Sequence, residues 1–227
     1  MSTLIGVNNI GLFGGNSSAK KKQKPEPVPE EGRRLQYLGA EVVRSDFSKY
    51  AIVTDILPQA NTQIDVECMA ECGMFSVLVV RSGQSNYFYL VQLIADEDIF
   101  TISSYNVNTS YLAGVETMRG QWKEIHLYGN GKGEILPDNL SIDQPPSSAV
   151  NTNGFLTLFD TVGDFSSYTR NGYIKCVKVT NENVEHLLVP WGIEDKGYIK
   201  DLTTGKLYGS GEGYILGPDY VDEEVGE

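Results

Sequence analysis

The sequence predicts an all-β fold: a two-sheet antiparallel sandwich preceded by an extended N-terminal arm. Three observations lead there. From Leu35 onward, short β-branched or aromatic runs recur between turn signals, in a chain of 227 residues that holds 24 glycines and 13 tyrosines. Tyr128-Gly129-Asn130-Gly131-Lys132 sets an Asn-Gly pair between two strand-like runs, a strong hairpin signal. No segment carries a 3.6-residue apolar stripe longer than three turns. Short strands in this number, over roughly 190 residues, need two packed sheets to bury their apolar faces.

Residues 1–15 are an apolar arm broken by Gly6, Gly11, Gly14 and Gly15, too glycine-rich for a helix and too short to fold alone. Residues 16–34 form a Lys- and Pro-rich linker, with Pro25, Pro27 and Pro29 in alternation, that reads as an extended spacer. Candidate strands follow at 35–38, 51–54, 63–68, 74–80, 86–93, 100–105, 110–116, 122–128 and 132–136. Further ones lie at 156–160, 173–180, 184–189, 196–201 and 206–208. Ile64, Val66 and Cys68 face the core, and Asp65 and Glu67 form the polar outer face of that strand. Ile174, Cys176 and Val179 alternate in the same half-buried manner, as do Leu187 and Val189 beyond the turn at Asn181-Glu182-Asn183. The β-domain is expected to span 35–219 and an acidic tail 220–227.

Charge divides the chain. Eighteen basic and 30 acidic side chains give a formal net charge of −12. Residues 1–34 carry six basic and three acidic groups, whereas the remainder carries 12 and 27. An acidic domain argues against a nucleic-acid partner, which requires a basic face for phosphate. No run approaches the ~18 apolar residues of a membrane span, and the first residues lack the basic and apolar regions of a secretory signal. Cys68 and Cys72, on one strand, would lie about 13 Å apart, too far for a disulfide. Three cysteines with His126 and His186 show no zinc-ligand spacing, and no cofactor is implied.

Two stretches resemble concanavalin A-like (LamG-type) jelly-roll domains, common in bacteriophages and in gut-bacterial surface proteins. The first comprises Leu35-Gln36-Tyr37-Leu38, then residues 50–58 (Tyr50 to Pro58) and Asn61-Thr62-Gln63-Ile64-Asp65-Val66-Glu67. The second comprises residues 173–179, Leu188-Val189-Pro190, Gly197-Tyr198-Ile199-Lys200-Asp201-Leu202-Thr203-Thr204-Gly205-Lys206-Leu207-Tyr208 and residues 211–218. Gly120-Gln121-Trp122-Lys123-Glu124-Ile125 and residues 154–159 are similar to middle strands of the same pattern. Departures are an insertion from Gly39 to Lys49, Thr54-Asp55-Ile56 at an Asp-Thr-Gly position, and Tyr214 at a Phe position. The resemblance implies a two-sheet antiparallel jelly roll; the chemistry must come from the residues.

A glucan hydrolase needs two carboxylates across the scissile bond, about 5–5.5 Å apart for a retaining mechanism. Asp65 and Glu67 share a face, but Glu71 is one residue too far for the strand pattern of such enzymes, so no catalytic residue is assigned. No Gly-x-Ser-x-Gly exists, and both histidines sit inside strand-like runs. The Asp96-Glu97-Asp98 cluster lacks the interleaved carbonyl or Asn ligands of a calcium loop, and no metal site is assigned. Candidate glycan contacts are the rings of Tyr87, Tyr89, Trp122 and Tyr128, with Tyr105 and Tyr111 as further rings and Asn106, Asn108 and Asn130 near strand ends.

The expected role is a non-enzymatic bacteriophage virion protein: a capsid- or collar-attached decoration or head-fibre subunit, assembled in the bacterial cytoplasm. Leu4, Ile5, Val7, Ile10, Leu12 and Phe13 would dock on other virion proteins, and the β-domain would be displayed as a homo-oligomer such as a trimer. The alternative is a carbohydrate-binding adhesin of a phage tail or bacterial surface that holds host glycans, and the third reading is the hydrolase.

Overall fold

Ile64, Val66, Cys68 and Ala70 alternate with Gln63, Asp65, Glu67 and Met69, so β4 (Gln63–Cys72) buries one face and half-exposes the other. The same period of two organises the rest of the chain. The structure, a computed structural model, describes residues 32–42, 50–59, 61–72, 74–81, 87–94, 99–104, 107–112, 119–129, 131–143, 154–160 and 170–221. Before β4 come β1 (Arg33–Arg34), β2 (Leu38–Val42) and β3 (Ile52–Val53). After it run β5 (Met74–Arg81), β6 (Tyr87–Ile94), β7 (Ile99–Ser104), β8 (Val107–Leu112), β9 (Lys123–Tyr128), β10 (Lys132–Leu136) and β11 (Leu140–Asp143). The last third holds β12 (Thr157–Leu158), β13 (Arg170–Asn181), β14 (Val184–Ile193), β15 (Lys196–Asp201), β16 (Leu207–Gly211) and β17 (Tyr214–Leu216). Among the described residues there is no α-helix, hence none long and apolar enough to cross a membrane.

Eleven of these strands form a large sheet along the path β11-β10-β9-β4-β13-β14-β15-β16, with β1 beside β14, β2 beside β13 and β17 beside β2. The other six form a second sheet in the order β3-β12-β5-β6-β7-β8. Every pairing between these strands is antiparallel. The fold is the two-sheet antiparallel jelly-roll sandwich the sequence predicts. Its core is one cluster in which Ile64, Val66, Ile125, Leu127 and Val177 of the large sheet join Leu78, Val80, Tyr89, Val91 and Ile102 of the small one. Each is at most 1% exposed, and burying a side chain of this size stabilises the fold by about 1.5–3 kcal/mol.

Several sequence expectations shift. The linker does not extend to residue 34, because Arg33 and Arg34 pair with Gly192 and Trp191 as β1. The folded region does not stop at 219 either: the Tyr220 N–H donates to the Arg34 carbonyl at 2.9 Å, and the Arg34 guanidinium lies 3.7 Å from the Tyr220 ring centroid. Leu35 makes an isolated bridge to Asp219 and donates its N–H to the Pro190 carbonyl at 3.0 Å, and the next strand begins at Leu38. There Gly39 permits a close approach, since a Cβ on it would lie 2.5 Å from Cδ1 of Tyr173. β8 begins three residues before the expected 110–116 strand, whose residues 113–116 lie outside the described ones, and β11 and β17, of four and three residues, are strands the expectations did not include.

One correction bears on the site. A register shift between Ile174 and Cys176 breaks the expected inward alternation of those two residues. Val177 pairs with Val66 and is buried, while Cys176 pairs with Glu67 on the outer face. Leu188, opposite Val177, joins the core cluster in place of the half-buried Leu187, while Val189 is 0% exposed. β9 and β10 pair as the hairpin signal predicts, with Lys132 opposite Tyr128 and Gly131 at φ +82°.

Candidate functional site

Antiparallel register lays the outward residues of the large sheet in rows that cross four strands. Lys178 of β13 pairs with Asp65 of β4, Asp65 with His126 of β9, and His126 with Glu134 of β10. The next row runs Cys176, Glu67, Glu124, Leu136. Glu67 and Glu124 are thus directly opposed carboxylates, an arrangement that destabilises a sheet by roughly 0.2–1 kcal/mol unless it is compensated.

Compensation comes from two cations or cation-capable groups. The Lys175 ammonium, in the bulge of β13, pairs with Glu67 and lies 4.3 Å from the Trp122 ring centroid. His126 stands between two carboxylates, with Nδ1 2.8 Å from Asp65 and Nε2 3.3 Å from Glu124. A neutral imidazole carries one N–H and can donate to only one of them. Trp122 also leans on Tyr37, with ring centroids 6.1 Å apart, and Tyr173 meets Tyr37 edge-on at 5.3 Å. His126 and Tyr128 lie side by side, nearly parallel at 15°.

Two adjoining hollows open on this face and share Glu67 and Glu124. One, of about 300 Å³, is lined by Trp122, Lys123, Leu136 and Pro137 besides the two carboxylates. The other, of about 290 Å³, is lined by Asp65, His126, Cys176, Lys178 and Leu187. Each matches the lower size range of small-ligand sites. Burial, with Glu67 next, pushes the Cys176 thiol up, so it stays protonated and unreactive. Burial, with Glu134 and Asp65 next, likewise raises the Tyr128 phenol, which is therefore a hydrogen-bond donor at neutral pH.

The sequence-predicted residues distribute unevenly. Trp122 and Tyr128 lie on this face, half-buried, and Asp65 and Glu67 occupy its outward positions as expected. Tyr89 does not: it is 0% exposed, and its hydroxyl donates to the carbonyls of Thr62 at 2.8 Å and Gln59 at 3.1 Å. Its ring belongs to the core and presents no face to a sugar. Tyr87, Tyr111 and Asn108 fall on strands, but their side chains lie outside the described residues. So do the whole of Tyr105, Asn106, Asn130, the 96–98 acidic cluster, and Leu4, Ile5, Val7, Ile10, Leu12 and Phe13 of the arm. Glu124, Lys175 and Tyr37 were missed in the sequence; their meeting depends on partners such as Lys175 and Glu67, 108 residues apart.

A third hollow, of about 210 Å³, lies elsewhere, bordered by Asp55, His186, Thr204, Lys206 and Tyr208. Asp201, fully buried beneath it, organises the turn to Lys206. Its carboxylate accepts from His186 Nδ1 at 2.9 Å, the Thr203 N–H at 2.9 Å and the Thr204 hydroxyl at 2.7 Å. Gly205, at φ +76°, lets the turn close with its N–H on the Asp201 carbonyl. Because an ionised carboxylate only accepts, Nδ1 of His186 carries the proton. Burial would raise the Asp201 carboxyl, but the bonds from His186, Thr204 and Thr203 outweigh it and hold it below the usual range. Bonds from Lys206 and Tyr208 lower Asp55 to about 2. These polar groups bond one another, and Tyr208 at the border of the third hollow is only 6% exposed with its hydroxyl tied to Asp55; the half-buried Trp122 beside Glu67 and Glu124 makes the outer sheet face the better candidate.

No family model matches the chain, and no curated protein does. Among solved structures it is similar to a chain described as HCR/D-Sa-GBL1/C, at 9% identity and a TM-score of 0.41, covering 65% of this chain and 43% of that one. It thus spans less than half the length of that protein. It is also similar to chicken galectin 2, at 10% identity and a TM-score of 0.35, covering 58% and 98%. A toad ovary galectin solved in complex with thio-digalactose is similar at 9% identity and a TM-score of 0.35, covering 62% and 98%.

Proposed function

We propose that the chain is a carbohydrate-binding module and that the outer face of the large sheet around Trp122 is its site. The observation that carries this reading is the hollow where the half-buried Trp122 ring stands beside Glu67 and Glu124. A sugar presents an apolar C–H face and a rim of hydroxyls. An indole ring next to carboxylate acceptors matches both, and the adjoining hollow gives room for a second residue. The role is binding rather than turnover: Glu67 is tied to Lys175, and Asp65 to His126.

The test is a glycan array probed with the full chain. A restricted set of bound glycans is expected; an array without a single bound sugar would overturn the reading.

We further propose, from the sequence of residues 1–34, that the module is displayed from a virion. Leu4, Ile5, Val7, Ile10, Leu12 and Phe13 would dock on capsid or collar proteins, in a homo-oligomer such as a trimer. Deleting residues 2–15 should abolish incorporation into purified particles, and undiminished incorporation would refute the anchor.

A further inference from the structure

The two hollows follow one another across the strands. Register sets Leu136 of β10, Glu124 of β9, Glu67 of β4 and Cys176 of β13 directly opposite one another in a row. The first hollow covers that row from Leu136 to Glu67, and the second carries on from Glu67 past Cys176 to Leu187 of β14. β10, β9, β4, β13 and β14 are consecutive in the large sheet, so four gaps of about 4.8 Å give a groove about 19 Å long. Trp122 lies in the hollow at one end and Leu187 in the hollow at the other, with polar side chains between them.

We infer that the groove takes a linear oligosaccharide laid across the strands, and not a single terminal sugar. This rests on the glycan-binding reading and names the ligand class for the same site. A pyranose ring with its linkage oxygen is roughly as long as one inter-strand gap, so the groove accommodates about four residues. A ring at one end stacks on Trp122, hydroxyls along the middle meet Glu124 and Glu67, and the far ring lays its apolar face on Leu187. The translational and rotational cost of association falls once, on the whole chain. Each further residue therefore adds contacts without a second such cost until the groove is filled.

Calorimetry of the full chain with ladders of linear oligosaccharides, from monomer to hexamer, tests it. The ladders are β-1,4-glucose, β-1,3-glucose, α-1,4-glucose and β-1,4-N-acetylglucosamine. At least one should bind, with affinity that climbs to about the tetramer and is level beyond it, as the four gaps require. Its tetramer should bind at least about tenfold more tightly than its dimer, a difference of about 1.4 kcal/mol. That exceeds the few-fold gain a repeating chain draws from extra registers on a short site. Leu187→Ala, at the end away from Trp122, should move the plateau to a shorter oligomer and leave the dimer's affinity near that of the parent. The readout is a ratio of affinities within one variant, so a loss of stability does not imitate it. A plateau already reached at the monomer or dimer, or a tetramer-to-dimer ratio that Leu187→Ala leaves unchanged, would overturn the inference. So would failure of all four ladders where the array shows other sugars bound. All of these leave the glycan-binding reading standing; only an array without hits removes that.

Discussion

Replacing Asp201 by alanine is expected to lower stability by about 3–5 kcal/mol, the cost of stripping one member from a buried charged network. For a folded region of this size that is roughly 6–20 °C in melting temperature. Asp201 is 0% exposed, and its loss leaves His186 Nδ1, the Thr203 N–H and the Thr204 hydroxyl without their acceptor. The neighbouring turn to Lys206 then loses the group that organises it. Asp201→Asn keeps one acceptor oxygen and should cost about 1–2 kcal/mol. It also tests a pH dependence. Hydrogen bonds hold the folded Asp201 carboxyl below its unfolded value of about 3.9. Its contribution is therefore complete above that value and is lost as pH falls through the folded pKa. Urea midpoints measured from neutral pH into acid should fall less steeply below about pH 4 in Asp201→Asn than in the parent. An equally steep acid limb would show that Asp201 is not among the groups that set it. Part of the limb should survive in the variant, because Asp55 is held near 2 by Lys206 and Tyr208.

The second large effect is on binding. Trp122→Ala should weaken the tightest array ligand at least about tenfold, and Trp122→Phe, which keeps a ring, should recover part of the loss. The stability cost should be modest, because Trp122 is half-buried and its contacts are the tilted Tyr37 ring and the Lys175 ammonium. Interactions of these kinds are each worth about 0.5–1.5 kcal/mol. Affinity and unfolding midpoint measured together separate the two consequences. Unchanged affinity in Trp122→Ala would move the site away from this hollow.

Why some of this was legible in the sequence and some was not has physical reasons. β4 announced both faces, because its polar and apolar residues alternate from Gln63 to Cys68, and Asp65 and Glu67 fell where the alternation put them. β6 did not. Tyr87-Phe88-Tyr89-Leu90-Val91 is apolar or aromatic throughout, so no period distinguishes the inward Tyr89 from its neighbours, and an inward tyrosine passed for a surface ring. Cys176 was misplaced because a bulge shifts the register of β13 by one residue, and nothing in residues 174–176 marks it. Trp122 was visible as a lone large aromatic at the head of a strand. Its surroundings were not, since Tyr37, Glu67 and Lys175 reach it through pairings of β2, β4 and β13. The Asp201-to-Lys206 turn was readable as a motif, while the burial of its aspartate depended on β14 carrying His186 to it.

The most direct measurement of the central claim is amide and indole chemical-shift mapping of the full chain during titration with the tightest array ligand. The predicted changes centre on Asp65, Glu67, Glu124 and His126 and on the Trp122 indole N–H. Changes confined to the small sheet or to the hollow between Asp55 and His186, with the Trp122 indole unmoved, would contradict it.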